Sequence, residues 1–370
     1  MVDSRYWLAF NRTPGIGPAR LRALLDHFGN LRDAWLAGSA EWKSAGLDHR
    51  AIDSLRSARE SMDLDAEMRR LDQSGGRMVT WDDSDYPALL RTVPDAPPVL
   101  YVKGALAPAD HQWAIAIVGT RRATTYGRQA AERLAGDLAR SGVTIVSGMA
   151  RGIDAAAHAA ALKAGGRTLG VLACGIDQVY PAEHARLAAR VVEHGALLTE
   201  TPVGAPPEAG NFPARNRIVS GLALAVIVVE AGERSGALIT ADRALEQGRD
   251  VLAVPGSIFS RSSDGTNRMI QEGATLVRSA EDVLEALNLR MVAQHAEAQS
   301  VMTEDPTESA ILKTMSHDPT HIDDIVRAMN MPVPQVSGVL ALMELKGLVR
   351  QVGGMNYVLA RESRAEYSVD

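Results

Sequence analysis

Apolar residues in the middle third of the chain form short unbroken runs, without the alternation of apolar and polar positions that marks a half-exposed strand. Runs of four to eight apolar residues favour parallel strands that are buried on both faces. Helical stretches separate the runs, and alternating strands and helices predict a doubly wound α/β sheet with right-handed crossovers. The predicted strands are AIAIVG (114–119), VTIVSG (143–148), TLGVLACG (168–175), ALLTE (196–200), LAVIVVE (224–230) and DVLAVPG (250–256).

Residues 1–75, ahead of this sheet, show the pattern of short helices. We expect helices over 3–11 and 18–28, a third capped by Ser39, and a long fourth that Asp48 caps and that runs to Leu71. Residues 77–104 predict a short strand (MVTW), a turn and a proline-rich connection.

The end of the chain predicts a second kind of fold. Three helical segments are followed by a hairpin that turns at Gly353-Gly354, which is the layout of a winged helix-turn-helix. The sequence therefore divides into predicted segments. These are an all-α domain (1–75), the α/β domain (76–288), a polar linker (289–307), the winged helix (308–360) and a tail (361–370).

Composition narrows the class of protein. The 370 residues are 46% hydrophobic and 23% charged, which is typical of globular proteins. We find no apolar stretch long enough to cross a bilayer and no signal-peptide pattern, so we expect a cytoplasmic protein without membrane insertion. A single cysteine, Cys174, excludes a disulfide scaffold and a multi-thiolate zinc site, and we expect it to be a small buried residue.

Charge alone does not indicate a nucleic-acid partner. The formal net charge is −6, so the chain as a whole does not attract polyanions. However, only five of the 39 basic residues are lysines, and the arginine guanidinium suits phosphate better than the lysine ammonium does. Because base composition of a genome can produce such a bias, only clustered arginines can indicate function.

Small residues follow several predicted strands at the carboxyl edge of the sheet, where ligands bind in such folds. A loop of small residues before a helix lets an anion approach backbone N–H groups and the helix N-terminus. We found neither a dinucleotide-binding GxGxxG nor a P-loop lysine, and the alternative for the arginines is pairing with acidic loops. The candidate anion-binding residues are Gly119, Arg121 and Arg122, then Ser147 and Gly148, and finally Ser235 and Gly236.

The segment FPARNRIVSG (212–221) combines an aromatic residue with basic and amide side chains. Such a loop can bind phosphates and stack one base. Its candidate contacts are Phe212, Arg215, Asn216 and Arg217, although Phe212 alternatively forms a lid over the core. Asn267, after the last main strand, is expected to close the same cleft.

Other patterns carry weaker or structural interpretations. Gly15-Ile16-Gly17 fits a phosphate-binding helix-hairpin-helix or a plain helical turn. Asp154 and His158 share a helix face, and we interpret them as a cap and as a residue that orients the loop. We predict no metal and no cofactor. Residues 304–359, which contain the winged helix, include four basic and seven acidic residues, which favours regulation or protein binding over duplex reading.

These motifs together resemble the DNA processing protein A family (DprA, also called Smf). The resemblance implies an extended Rossmann domain flanked by a helical SAM-like domain and a winged helix, in a homodimer. It also implies a non-enzymatic single-stranded DNA-binding protein that protects incoming strands in natural transformation and loads the RecA recombinase onto them. The matching stretches are YPALLRTVPDAPPVLYVKG, AIVGTRRATTYG, IVSGMARGIDAAAH, FPARNRIVSGL, EAGERSGALITA, VPGSIFSRSSDGTN and QEGA, over residues 85–275.

The resemblance also assigns residues. The family's strand-holding positions fall on Gly119, Arg121, Ser147-Gly148, Phe212, Arg215, Asn216, Arg217 and Ser235-Gly236. Small departures occur at Thr124-Thr125, His184 and Thr199-Glu200, and they affect one or two hydrogen bonds.

Two other functions compete with DNA binding. The first is an enzyme that splits nucleoside monophosphates at the glycosidic bond with Glu230 as its glutamate, although EAGERSGALIT lacks the paired glycines of such enzymes. The second is a nucleotide-sensing module whose winged helix acts as a transcriptional output.

Overall fold

The computed structural model describes residues 4–287, 306–315, 320–329, 331–345, 349–352 and 355–359. The chain forms two compact units, Met1–Val292 and Ala293–Asp370. Most of the predicted linker (289–305), the hairpin turn at Gly353-Gly354 and the predicted tail lie outside the described residues.

The N-terminal region is helical, as predicted, and the second helix has the expected bounds, Pro18–Phe28, whereas the helix Leu31–Leu36 was not predicted. The predicted fourth helix is wrong as a single element, because the chain leaves the helix at Met62 and Asp63 caps a new one by accepting from the N–H groups of Asp65 and Ala66. Asp48 caps the preceding helix as expected, accepting from the Ala51 N–H at 2.9 Å. The helices are α1 (Ser4–Arg12), α2 (Pro18–Phe28), α3 (Leu31–Leu36), α4 (Ser39–Ser44), α5 (His49–Ser61) and α6 (Leu64–Gln73).

A nine-stranded sheet with the order β1-β2-β6-β5-β4-β3-β7-β8-β9 forms the centre of the first unit. All six predicted strands are present. The strands are β1 (Arg77–Thr80), β2 (Val99–Gly104), β3 (Ala114–Val118), β4 (Thr144–Ser147), β5 (Thr168–Val171), β6 (Gly195–Thr199), β7 (Ala225–Val228), β8 (Asp250–Ala253) and β9 (Thr275–Leu276).

The strands from β6 to β9 in this order run parallel, and β3, β4, β5, β6 and β7 are buried along their whole length. The expected doubly wound parallel sheet is therefore confirmed. The proline-rich connection is wrong in part, because its second half is the strand β2, which pairs antiparallel with β6 and with β1. Residues Val99 to Val102 are buried there, so burial selects a strand.

Helices cover both faces of the sheet. From β3 the chain winds through β4 and β5 to β6, and from β7 it winds the opposite way, so right-handed crossovers place the two sets of helices on opposite faces. Helix α8 packs on α9 and α9 on α10, whereas α11 packs on α12. These helices are α7 (Ala88–Arg91), α8 (Thr125–Arg140), α9 (Ile153–Lys163), α10 (Ala185–His194), α11 (Asn211–Gly221), α12 (Gly236–Glu246), α13 (Asp264–Gln271) and α14 (Ala280–Ala286).

The N-terminal helices share a hydrophobic core with one face of the sheet region. Trp7 and Phe10 of α1 belong to the same buried cluster as Leu172, Cys174 and Val191. Cys174 is buried, as expected, and burial raises the pKa of its thiol to about 11. The N-terminal helices therefore pack on the sheet domain through this cluster, and the division at residue 75 stays a prediction.

The second unit contains the expected winged helix. Its helices are α15 (Pro306–Thr314), α16 (Ile322–Met329) and α17 (Val333–Leu345), and its sheet has the order β10-β12-β11 with β10 (Thr320–His321), β11 (Val349–Gln351) and β12 (Asn356–Leu359). Ile325, Leu340 and Tyr357 pack in its core. Among the described residues of both units, we find no helix that is long and apolar enough to span a membrane.

Candidate nucleic-acid interface

A cleft lies at the carboxyl ends of β3 and β7, where the winding of the sheet reverses. This topological switch point is where open α/β sheets bind ligands, because the loops diverge there to opposite faces. The cleft, called the main cleft below, has a volume of about 690 Å³. Its lining includes Gly119–Arg122, Gly148, Ala150, Asp154, Tyr180, Phe212, Arg215, Asn216, Ser235 and Gly236.

The first loop, Gly119 to Thr124, leads from β3 into α8. Thr124 caps α8, because its hydroxyl oxygen accepts from the Gly127 N–H at 3.1 Å. Its own N–H and hydroxyl donate to the buried carboxylate of Glu230, at 2.9 and 2.8 Å. A Cβ on Gly127 would overlap Glu230, so the close approach of these two segments requires glycine. The first loop is therefore held firmly beside the end of β7.

Arg121 and Arg122 are exposed at the rim of the main cleft. Within the described part of the chain, neither has a carboxylate at ion-pair distance, which disfavours the alternative that they pair with acidic loops. The Arg121 guanidinium instead lies over the ring of Phe212, with its carbon 5.1 Å from the ring centroid. Two unneutralised cations therefore face the cleft.

Phe212 lies in the first turn of α11 and not in a flexible loop, which corrects the sequence interpretation. It is not a lid over the core, because it lines the main cleft and contacts a second aromatic ring there. The centroids of Phe212 and Tyr180 are 5.6 Å apart and the rings are tilted by 59°. Tyr180 was not predicted from the sequence as a cleft residue. It could have been, because it is an aromatic residue before Pro181 that follows a predicted strand at the carboxyl edge of the sheet.

Arg215 is a buried residue in the wall of the main cleft. It is 6% exposed, and its guanidinium donates to the carbonyl oxygens of Gly148 and Val171. Burial lowers the pKa of Arg215, and the nearby Asp154 carboxylate acts in the opposite direction. A Cβ on Gly148 would overlap this guanidinium. Arg215 thus joins α11 to the loops after β4 and β5.

The second loop, residues 148–152, leads from β4 into α9 and is organised by Asp154. Its carboxylate accepts from the N–H groups of Gly148 and Ala150, each at 3.2 Å, so it caps the loop and not the helix α9. Burial raises the pKa of Asp154, whereas Arg215 and these N–H groups lower it. Ser147 is fully buried and donates to the Ile117 carbonyl oxygen at 2.6 Å, so its hydroxyl supports the strand end.

His158 is buried below the second loop. Its Nδ1 lies 2.6 Å from the Thr168 hydroxyl, and burial, together with the positive charge of Arg215 and with His184, lowers the pKa of His158 to about 3. The imidazole is therefore neutral at physiological pH. Because the hydrogen-bond partner of Nδ1 belongs to β5 and not to the second loop, the interpretation of His158 as a residue that orients the loop stays a prediction.

The third loop, residues 229–235, leads from β7 into α12. Ser235 and Gly236 lie at the N-terminus of α12. The Ser235 hydroxyl accepts from the Ala237 N–H at 3.3 Å, and the Asn216 side-chain amide donates to the Gly236 carbonyl oxygen at 3.4 Å. The three predicted loops and the start of α11 therefore meet in one cleft.

Arg217 and Asn267 are absent from the residues that line the main cleft. Arg217 forms a bidentate ion pair with Glu200, with N–O distances of 2.6 and 2.7 Å, and its Nε lies 3.1 Å from an Asp95 carboxylate oxygen. The Asn267 side chain instead binds the backbone N–H and carbonyl of Gly256. Because residues two apart on a helix lie about 200° apart, Arg215 and Arg217 of α11 point in different directions.

Gly15-Ile16-Gly17 forms the connection between α1 and α2, with Gly15 in the left-handed region at φ 83°. Ile16 and Gly17 line a cavity of about 260 Å³ with Asn211 and Arg215, so this turn faces the first part of α11. Among the described residues, no cluster of His, Cys, Asp or Glu side chains has metal-binding geometry.

The sheet order, with loops of small residues, helix N-termini and unpaired arginines at its switch point, defines a Rossmann-like protein. Comparison with known protein families agrees with a Rossmann-like protein and identifies the family. Residues 77–288 match the DNA recombination-mediator protein A family, and residues 295–355 match the DprA winged helix domain. The chain belongs to the DNA processing protein A (DprA/Smf) family.

Individual relatives are similar along nearly the whole chain. The Smf protein of Synechocystis is 36% identical over 96% of this chain and 98% of its own length. The Smf protein of Escherichia coli is 36% identical over 98% of this chain and 97% of its own length. The X-ray structure of DprA from Streptococcus pneumoniae aligns with a TM-score of 0.68 at 36% identity, over 77% of this chain and 98% of that one. A Helicobacter pylori DprA structure, reported for its single-stranded DNA binding mode, aligns with a TM-score of 0.52 at 31% identity, over 58% and 97%.

Proposed function

We propose that the main cleft binds single-stranded DNA. The observation that carries this proposal is the cluster of Arg121, Phe212 and Tyr180 beside helix N-termini. Aromatic faces stack on any unpaired base, and helix N-termini with arginines bind phosphates without reading sequence. A base in a duplex is already stacked and paired, so the same groups favour a single strand.

The cleft residues divide into contacts and supports in this proposal. Arg121, Arg122 and the N–H groups of Gly119 and Gly236 bind phosphates, and Phe212 with Tyr180 stacks a base. The supporting residues are Arg215, which holds the loops, and Ser147, Gly148, Asn216 and Ser235, which shape them. Arg217 and Asn267, predicted from the sequence as DNA contacts, act on neighbouring segments instead.

The structure of the Helicobacter pylori relative supports this proposal, since it is described for its single-stranded DNA binding mode. We further propose the cellular role that the family resemblance implies. The protein acts in the cytoplasm as a homodimer, protects incoming single strands in natural transformation and loads RecA onto them.

The experiment compares wild type with Arg121→Ala in fluorescence anisotropy, using one labelled sequence as single strand and as duplex over a salt series. We expect preference for the single strand and its loss in the variant. RecA filament assembly on the same strand, with and without each protein, then tests loading. Equal binding of the single strand by both proteins would reject the site, and unchanged filament assembly would reject the loading role.

We also propose that the protein is not an enzyme. The competing phosphoribohydrolase function needs the Glu230 carboxylate at the reacting bond. Glu230 is 2% exposed, and its oxygens accept from the Thr124 N–H and hydroxyl and from the Ser262 hydroxyl. These bonds support a structural role for this carboxylate.

A further inference from the structure

A second, smaller cleft adjoins the main cleft on the far side of the first loop. It has a volume of about 460 Å³ and lies between the start of α8 and the loop after β8. Its lining consists of Thr124, Tyr126, Glu230, Pro255, Gly256, Ser257, Ser260 and Ser263. None of its residues was predicted to contact DNA, and the proposed function does not use it.

The loop after β8 presents two large apolar side chains to solvent. Ile258 is 81% exposed and Phe259 is 93% exposed, which makes Phe259 the most exposed of the large hydrophobic residues described. Tyr126, on the opposite wall of the second cleft, is 50% exposed. Exposed aromatic residues beside a concave surface are characteristic of binding sites, because a bound partner can bury them.

Hydrogen bonds hold this loop in a defined shape. The Ser260 N–H donates to the Ser257 carbonyl oxygen at 3.0 Å, which closes a turn around Ile258 and Phe259. The Tyr126 hydroxyl donates to the Pro255 carbonyl oxygen at 2.6 Å, and Asn267 binds both backbone groups of Gly256. The loop is therefore tied to α8 on one side and to α13 on the other, with Phe259 at its tip.

Arginines in the loops that flank the second cleft indicate the charge of its partner. Arg122 in the loop after β3 and Arg261 in the loop after β8 are exposed, and neither has a carboxylate partner among the residues that the structure describes. These two unneutralised cations favour a polyanion as the occupant.

The two clefts are lined by neighbouring parts of the first loop. Arg122 lines the main cleft and Thr124 lines the second, and two residues of chain span at most ~7 Å. A strand that passes Phe212, Arg121 and Arg122 therefore lies close to the second cleft. This proximity favours a nucleic acid over a protein partner as the occupant.

We infer that the second cleft is a further subsite for the same single strand, with Phe259 as a stacking platform and with Arg122 and Arg261 as phosphate contacts. The inference rests on the proposed function, since the strand reaches this subsite from the main cleft. It extends the DNA path across the end of β8 and gives the exposed side chain of Phe259 a partner.

Oligonucleotide length distinguishes the two subsites. The full chain and its variants are titrated with a short oligothymidylate of about four nucleotides, chosen to occupy the main cleft, and with a long one of about twenty, chosen to reach both clefts. Phe259→Ala should weaken binding of the long strand by roughly 5- to 150-fold, the range measured for loss of one base stack, and leave the short strand unaffected. Phe259→Trp should restore the affinity.

The matched controls separate this result from general effects. Leu36→Ala removes another exposed apolar side chain, 60% exposed and distant in sequence, and should change neither affinity. Arg121→Ala should weaken both strands. Arg261→Ala should lower the slope of log affinity against log salt by about 0.7 for the long strand only.

The outcomes also separate this inference from the proposed function. If Phe259→Ala binds both strands like wild type while Arg121→Ala loses both, the second subsite is rejected and the main cleft stands. The second subsite is likewise rejected if Phe259→Ala impairs only dimer formation or RecA contact, which would make the loop a protein-docking site. If neither variant weakens either strand, both proposals are rejected.

Discussion

The rings of Tyr180 and Phe212 lie 5.6 Å apart, centroid to centroid, and the guanidinium of Arg121 covers Phe212 at 5.1 Å. These side chains come from the loops after β5 and β3 and from the start of α11. Only the carboxyl edge of the sheet brings such distant segments together, so the cluster belongs to the cleft and not to any one motif.

We expect Phe212→Ala to weaken single-strand binding by about 1–3 kcal/mol, because the variant removes the ring that stacks on a base and contacts Tyr180. Tyr180→Phe keeps the ring and should bind like wild type, whereas Tyr180→Ala should bind more weakly. Anisotropy titrations with one oligonucleotide measure all three. Wild-type affinity in Phe212→Ala would contradict the stacking role.

Arg121→Ala should weaken binding to every single-stranded sequence to a similar extent, since phosphate contacts carry no sequence information. The slope of log affinity against log salt should fall by about 0.7 for each phosphate that the variant no longer neutralises. Arg133→Ala is the matched control, because Arg133 lies on α8 and pairs with Asp137 outside the cleft. An unchanged slope for Arg121→Ala would remove this residue from the phosphate contacts.

Arg215→Met should destabilise the fold. The variant leaves the carbonyl oxygens of Gly148 and Val171 without their donor and leaves the buried Asp154 carboxylate without a neighbouring cation. Removing one partner of a buried charged group costs about 3–5 kcal/mol, and urea unfolding measures the loss. Arg243→Ala, on the exposed face of α12, should cost less than about 0.5 kcal/mol. Equal unfolding free energies for Arg215→Met and wild type would show that these buried contacts contribute little.

The buried imidazole of His158 should make the protein less stable in acid. Its folded pKa is about 3, below the ordinary value of 6.5, so between these pH values the unfolded chain binds more protons. The unfolding free energy therefore rises with pH across this window, by about 1.4 kcal/mol per pH unit. Burial raises the pKa of Asp154, so above the ordinary pKa of an aspartate the folded chain binds more protons at this residue. Its contribution to the unfolding free energy therefore falls as pH rises.

The measurement for His158 is urea unfolding at pH 7 and pH 5. Between pH 7 and pH 5, the unfolding free energy of wild type should fall by about 2 kcal/mol because of His158. In His158→Gln this contribution should be absent. Asp154 is present in both proteins, so its contribution cancels in the comparison. Identical pH dependence in the two proteins would mean that His158 ionises normally in the fold.

Incubation with AMP tests the enzymatic alternative. We expect no release of free adenine, detected by chromatography, from wild type. A related phosphoribohydrolase enzyme is the positive control. Adenine release that disappears in Glu230→Gln, a variant that is still folded, would overturn the proposal of a non-catalytic protein.

The amino-acid sequence by itself determined the six central strands and the positions of the loops of small residues that follow them, but not the helix α3, the break between α5 and α6 or the strand β2. Uninterrupted apolar runs can only be buried on both faces, so they specified the parallel strands. Parallel strands end at one edge, so the small residues after β3, β4 and β7 were expected to meet. The winged helix followed from local patterns of the same kind.

Only the tertiary structure decided what the individual side chains do. Phe212, Arg215 and Asn216 line the main cleft because positions i, i+3 and i+4 share a helix face, whereas Arg217 lies on another face and pairs with Glu200. The approach of Tyr180 and the burial of Glu230 depend on contacts between segments that are distant along the chain. Local sequence patterns specify periodicity and end points, but packing between distant segments specifies which charges remain free for a ligand.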